Sequence, residues 1–285
     1  MPVVMPPVLQ LSFRVPASRA VGPGMFVVDP ADGLSVDACW RLLEDAAQVA
    51  FLVHGFNVSW ESGRDSLRNL GAALRPAFGG LVIAVTWPGD SGLGPLGYPW
   101  EGQDADDTGL ALAKLITAHV RDGAELSFVT HSLGARVALE ACARLDPDRW
   151  LLREVCVTAP AVDDTCFNTD ERYFGVASAA RRTTVLASTG DRVLQLAYPA
   201  GDLVQSWLFR WKDKAGRALG RRGPRNAGGR LTSPKVRHEQ IPDPPAVGHG
   251  DYITSGTPND FHKACYTFAR QVVDGDAAPA WTRGG

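Results

Sequence analysis

The sequence predicts an α/β protein whose core is a mostly parallel central sheet with helices on both faces. Two observations predict it: short, unbroken apolar runs recur along the chain, and amphipathic helical patterns separate them. Strands buried on both faces read as continuous apolar runs, and their alternation with helices specifies parallel pairing through right-handed crossovers.

Within the first 45 residues, the run Leu9-Gln10-Leu11-Ser12-Phe13-Arg14-Val15 is expected to contribute to one or two antiparallel edge strands. Residues 49–53 form a strand ending at His54-Gly55, and residues 81–87 another ending at Pro88-Gly89. Between them, residues 62–78 place Leu67, Leu70 and Leu74 at helical spacing. A helix over 108–120 with Leu110, Leu112, Leu115 and Ile116 precedes a strand at 126–129 and a helix over 133–145. Strands follow at 155–158 and 184–187.

Leu203, Val204, Trp207, Leu208 and Trp211 share a face of a crossover helix, and the Gly/Pro/Arg-rich stretch 220–234 is expected to be a loop. Residues 236–241 form a last strand. The closing helix begins near Asn259 or Asp260, where Pro258-Asn259-Asp260 supplies capping chemistry and Phe261, Cys265, Phe268 and Val272 share a face. The whole length, 1–285, is expected to be one domain.

Apolar residues make up 45% of the 285 and charged residues 21%, the balance of an ordinary soluble globular protein. A net charge of -2 offers no bulk attraction to nucleic acid. Cys39, Cys142, Cys156, Cys166 and Cys265 are odd in number and scattered, without a C-x-x-C pair, so buried free thiols are expected. No basic segment leads into an apolar one at the N-terminus, and no run of about 18 uncharged apolar residues occurs. A cytoplasmic protein without stable membrane insertion is the expectation; the sequence does not speak to oligomeric state.

Chemistry enters at Thr130-His131-Ser132-Leu133-Gly134, which lies between a predicted strand and a predicted helix. A strand that turns tightly into a helix can hold one side chain exposed above the carboxyl edge of the sheet, and Ser132 occupies that tip. The crowded turn asks for small residues two before and two after it. Gly134 meets this and Thr130 departs from it. The following helix offers unpaired N–H groups and a positive dipole end, so the Leu133 N–H is a candidate oxyanion donor. A second is the Phe56 N–H, in the sharp turn His54-Gly55-Phe56-Asn57.

A serine hydroxyl needs a histidine to take its proton, and the histidine needs a carboxylate to hold its tautomer and cation. In a sheet of this kind the chain order is serine, acid, histidine. Asp191 directly follows the 184–187 strand and is the candidate acid, while Asp163 and Asp164 lie one strand earlier and suit a loop or pocket role. His238 falls within a strand and His262 within the last helix. His249, in the glycine-flanked stretch Val247-Gly248-His249-Gly250, is the candidate base. His54 and His131 adjoin the site as pocket-lining residues.

These stretches resemble the α/β-hydrolase superfamily, specifically an uncharacterised bacterial group, through Phe51-Leu52-Val53-His54-Gly55-Phe56-Asn57, Trp87-Pro88, Thr130 to Arg136 and Ser188 to Arg192. The resemblance spans about residues 50–252 and implies the α/β-hydrolase fold, with Ser132 as nucleophile, Asp191 as acid, His249 as base and the oxyanion hole at the Phe56 and Leu133 amides. It does not specify a substrate.

Asn57, Trp87 and His131 are candidate substrate-pocket residues; for Trp87, core packing is an equal reading. From Arg210 to Arg237 ten Lys/Arg face one acid, Asp213, while Glu101, Asp104, Asp106 and Asp107 form an acidic patch elsewhere. Residues 200–245 therefore read as a crossover helix with a basic solvated loop, or as a lid that meets anionic lipid. No H-E-x-x-H, clustered Cys/His/Asp spacing or phosphate-binding glycine loop appears, so neither metal nor cofactor is expected. Three functions remain open: a carboxylic ester hydrolase acting on a small molecule, an acyltransferase or thioesterase with the same triad, and a non-catalytic binding protein on the same frame.

Overall fold

The computed structural model describes residues 7–15, 20–89, 98–195, 217–242 and 247–275. Its strands are β1 (Leu9–Arg14), β2 (Val21–Val27), β3 (Gln48–Val53), β4 (Leu81–Thr86), β5 (Glu125–His131), β6 (Leu151–Thr158), β7 (Arg182–Ser188) and β8 (Val236–Ile241). They form one sheet in the order β2-β1-β4-β3-β5-β6-β7-β8. Every ladder is parallel except that between β1 and β2. The fold is that of an α/β protein with a mostly parallel eight-stranded sheet.

The longer helices are α1 (Val36–Asp45), α2 (Trp60–Phe78), α3 (Tyr98–His119) and α4 (Gly134–Cys142), followed by the short α5 (Phe174–Ala179) and α6 (Leu219–Arg222) and the closing α7 (Asp260–Asp274). Helices α2 and α7 pack together on one face of the sheet, and α1, α3 and α4 on the other. The apolar runs of β3, β4 and β5 are buried almost throughout because helices cover both sides. Helix α7 starts at Asn259, whose side chain accepts the His262 N–H at 2.9 Å.

Strand order reverses between β3 and β5, since the chain leaves β3 toward β4 and then returns across it to β5. The loops after these two neighbours therefore depart to opposite faces and open a crevice at the carboxyl edge, where α/β sheets bind their ligands. Below the crevice, Phe51 and Phe128 face one another across the β3–β5 ladder, with ring centroids 5.3 Å apart. Among the described residues, no helix is long and apolar enough to cross a membrane. All five cysteines are buried and free.

Four features differ from the sequence expectation. Strand β1 is not an antiparallel edge strand: it pairs in parallel with β4, and only β2 is an antiparallel edge. Helix α1 was not foreseen, because only Cys39 and Leu43 of its ten residues are buried and they make a thin apolar stripe. Helix α3 begins ten residues before 108, through a polar stretch with no apolar period; there Asp106 pairs with Arg136 of α4 at 2.6 and 2.8 Å.

The fourth is the stretch 220–234, which past Arg222 is a loop as expected but is pinned to the body of the protein rather than solvated. Arg225 makes a two-pronged pair with the buried Asp164 carboxylate at 2.8 and 3.0 Å, and isolated bridges join Ala218 to Asp163 and Thr232 to Asn168. The expected crossover helix with Leu203, Val204, Trp207, Leu208 and Trp211 lies outside the described residues.

Removing the Phe128 ring empties the layer beneath the crevice and leaves Phe51 without its stacking partner. Phe128→Ala should lower unfolding stability by about 3–5 kcal/mol in urea titration, and a loss below about 1 kcal/mol would show that the layer repacks.

Candidate active site

The carboxyl end of β5 delivers His131 and then Ser132, which holds φ +54° in the left-handed region. A non-glycine residue there costs about 1–3 kcal/mol, supplied by its surroundings. Here the Ser132 N–H donates to Thr158 O at 3.0 Å, and the Ser132 carbonyl accepts the N–H groups of Ala135 and Ala161, each at 3.1 Å. Helix α4 starts immediately, with Leu133 at its cap.

Two glycines make this turn sterically possible. A Cβ on Gly134 would stand 2.3 Å from His54 O, and one on Gly55 would stand 2.9 Å from both Ser132 Cβ and His131 Nδ1. The turn after β5 is thus pressed against the turn after β3. Thr130, the departure from the small-residue rule, is buried, and its carbonyl accepts the Thr158 hydroxyl at 2.7 Å.

Ser132 Oγ lies 2.8 Å from His249 Nε2, and His249 Nδ1 lies 2.7 Å from Asp191 Oδ2. The carboxylate can only accept, so Nδ1 carries the proton and Nε2 is left to accept from the serine hydroxyl. Asp191 is completely buried, and its other oxygen accepts the Leu194 N–H at 2.9 Å, capping the helical turn at 192–195. A capping carboxylate is favoured by the amide and by the helix dipole. Asp164 is engaged by Arg225, and Asp163 bridges to Ala218.

The stretch carrying His249 is a short 3₁₀ turn, His249–Asp251, tied from three sides. Ser188 Oγ donates to Val247 O at 2.8 Å, His262 Nε2 donates to Gly250 O at 3.1 Å, and His131 Nε2 donates to His249 O at 2.9 Å. Ser188 and His262 thus support the site although their sequence contexts mark them only as a strand end and a helix start. His238 lies in β8, exposed and beside Gln240.

The turn after β3 is braced as firmly. His54 Nδ1 donates to Gly55 O at 2.7 Å, its Nε2 accepts the Trp87 N–H at 3.3 Å, and Trp87 Nε1 donates to His54 O at 2.9 Å. Asn57, at φ +57° and exposed, donates its N–H to Gly89 O at 2.6 Å. Phe56 sits between these ties, half-buried. Trp87 has no exposed surface, and its ring is stacked beside that of His54.

Leu133 is buried, and its N–H has no acceptor among the described residues. His131 is also buried, with its ring 4.9 Å from the ring of His249 and 5.8 Å from that of Tyr252. No group of three or more His, Cys, Asp or Glu among the described residues is placed to hold a metal ion.

With this geometry in view, the family described as "Alpha/beta hydrolase of unknown function (DUF900)" matches residues 40–203. No curated protein matches the chain by sequence. Among solved structures, it is similar to carboxyl esterase 2 from the mycorrhizal fungus Tuber melanosporum at 13% identity and a TM-score of 0.42, over 81% of this chain and 79% of that one. It is also similar to a Trichoderma reesei cutinase in complex with a phosphonate inhibitor, at 12% identity and a TM-score of 0.30, over 87% and 90% of the two chains.

Burial, and secondarily the neighbouring His249, push the His131 imidazole down from 6.5 to about 3, so the folded protein holds it neutral. Below about pH 6.5 the unfolded chain gains a proton that the folded chain refuses. The stabilisation is therefore complete above that pH and is lost as pH falls toward about 3, by at most about 1.4 kcal/mol per pH unit. His131→Asn should flatten the decline in urea stability between about pH 6.5 and 4. A decline as steep as that of the wild type would assign the acid sensitivity to other groups.

Proposed function

We propose that this chain, which belongs to the α/β-hydrolase family of unknown function (DUF900), is a serine hydrolase that cleaves a carboxylic ester through an acyl-enzyme. The observation that carries the reading is the unbroken relay from Ser132 Oγ through His249 to Asp191, at 2.8 and 2.7 Å, with the serine raised on a left-handed turn.

In this reading His249 Nε2 takes the hydroxyl proton as Ser132 Oγ attacks the ester carbonyl carbon. Asp191 keeps Nδ1–H in place and stabilises the imidazolium that forms. The negative charge that develops on the carbonyl oxygen is met by the Leu133 and Phe56 N–H groups and by the amino end of α4. Collapse breaks the ester C–O bond, and His249 returns its proton to the departing alkoxide. Water then repeats the sequence: His249 removes a proton from it, its oxygen attacks the acyl carbon, and the proton returns to Ser132 Oγ as the carboxylic acid leaves.

Oxygen esters suit this relay because an alkoxide is a far better leaving group than an amide nitrogen, and His249 supplies the proton it takes. Asn57, exposed on the turn beside Phe56, and His131 are the residues we assign to the walls of the small-molecule site. Trp87 acts behind that wall, by holding His54. We assign the whole chain to one domain.

A fluorophosphonate probe should label the wild-type protein at Ser132, and Ser132→Ala should abolish the labelling. Labelling that persists in Ser132→Ala would sink the proposal. Asp191→Asn leaves the geometry but favours the wrong imidazole tautomer, and should lower kcat on p-nitrophenyl esters by about 10⁴-fold. A loss of less than about tenfold would show that Asp191 is not the orienting acid.

A further inference from the structure

Arg14 is the last residue of β1, and because β1 runs parallel to β4 it stands at the same edge of the sheet as Ser132. The β1–β2 register slips there: Ser12 pairs with Met25 and Arg14 with Val21, so Gly22-Pro23-Gly24 bulges out of β2. Gly24 holds φ +89°, and a Cβ on it would meet the Phe13 ring at 2.7 Å. A bulge of this kind re-aims the side chains beside it.

The Arg14 guanidinium crosses the end of β4. Its Nε donates to Trp87 O at 2.9 Å and its Nη2 to Val58 O at 2.9 Å. Trp87 O also accepts the Gly89 N–H at 2.8 Å, and Gly89 O accepts the Asn57 N–H. Trp87 holds the near end of the 54–58 turn through His54, and Arg14 holds its far end at Val58. Phe56 lies between the two clamps along the chain, next to Gly55, on which the Ser132 turn already presses.

We infer that Arg14 is a positioning residue for the oxyanion site: its planar fork locks the 54–58 turn onto the end of β4 and so fixes where the Phe56 N–H points. This inference rests on the serine-hydrolase reading. A guanidinium is suited to the task because two donors in fixed relative geometry span two carbonyls, whereas an ammonium is a point charge that cannot hold both. The effect falls on the transition state, where the oxyanion exists, rather than on ground-state binding.

The test compares wild type, Arg14→Ala and Arg14→Lys by hydrolysis of a p-nitrophenyl ester, by fluorophosphonate labelling rate and by thermal melting, with Arg14→Ala also assayed in added methylguanidinium. Arg14→Ala should remain folded at the assay temperature, lose about 10- to 100-fold in kcat with KM within about 3-fold, and slow in labelling to match. Methylguanidinium should restore about tenfold, and Arg14→Lys should stay impaired.

A folded Arg14→Ala within about 3-fold of wild-type kcat overturns the inference, as does a loss that follows the unfolded fraction and is not restored by methylguanidinium. If Arg14→Ala does not fold, a folded Arg14→Lys decides: full kcat overturns the inference and lowered kcat supports it. A wild type that neither labels nor hydrolyses overturns the serine-hydrolase reading and this inference with it. An active wild type with an indifferent Arg14→Ala overturns the inference alone.

Discussion

The carbonyl oxygen of His54 occupies space that a side chain at position 134 would need, 2.3 Å from where its Cβ would stand. That close approach joins the two turns on either side of the switch point, one after β3 and one after β5. Because Gly134 has no Cβ, α4 can start directly behind Ser132, and the serine is forced into the left-handed conformation that lifts its hydroxyl over the sheet edge. A larger residue there would push the turn after β5 away from the end of β3, since its Cβ would meet the carbonyls of both Val53 and His54.

Around this contact the protein spends hydrogen bonds on backbone placement. Ser188, His131 and His262 each tie a carbonyl of the stretch 247–250, and His54, Trp87 and Arg14 bind together the 54–58 turn and the end of β4. Each donor gives a turn carbonyl a partner within the protein, and so ties the loops to the elements around them. The buried neutral His131 fits this role, since a charge there would be stripped of water beside His249. The same logic places Asp191: a fully buried carboxylate is tolerable because an imidazole N–H and the Leu194 amide both donate to it.

How much of this was legible in the chain follows from what burial does to sequence. Strands β3 to β7 are covered on both faces, so their apolar runs stand out, and the closing helix is announced by its Asn259 cap and apolar stripe. The start of α3 was not legible because residues near 98–107 have no apolar period; the tie between Asp106 and Arg136 belongs to another helix. Burial raises the Asp106 carboxyl, yet Arg136 and Arg172 more than offset it and hold it below the ordinary range. The chain also gave no sign that Arg225 would seek out Asp164, and so the stretch 220–234 reads as a solvated loop when scanned alone.

From the sequence by itself came the fold class, the strand-turn-helix around Ser132, and an order of serine, acid and histidine that singled out Asp191 and His249. Those are local or ordinal properties, set by apolar period, glycine placement and position along the chain. Only the tertiary structure decided which way β1 runs, because alternation reports the faces of a strand and not its direction, and direction depends on which neighbour offers a free edge. That neighbour is β4, and its parallel pairing carries Arg14 to the edge where Ser132 emerges. The 2.7 and 2.8 Å contacts of His249 are likewise tertiary, since Asp191 lies 58 residues and Ser132 117 residues from it in the chain, and only the assembled sheet brings their loops together.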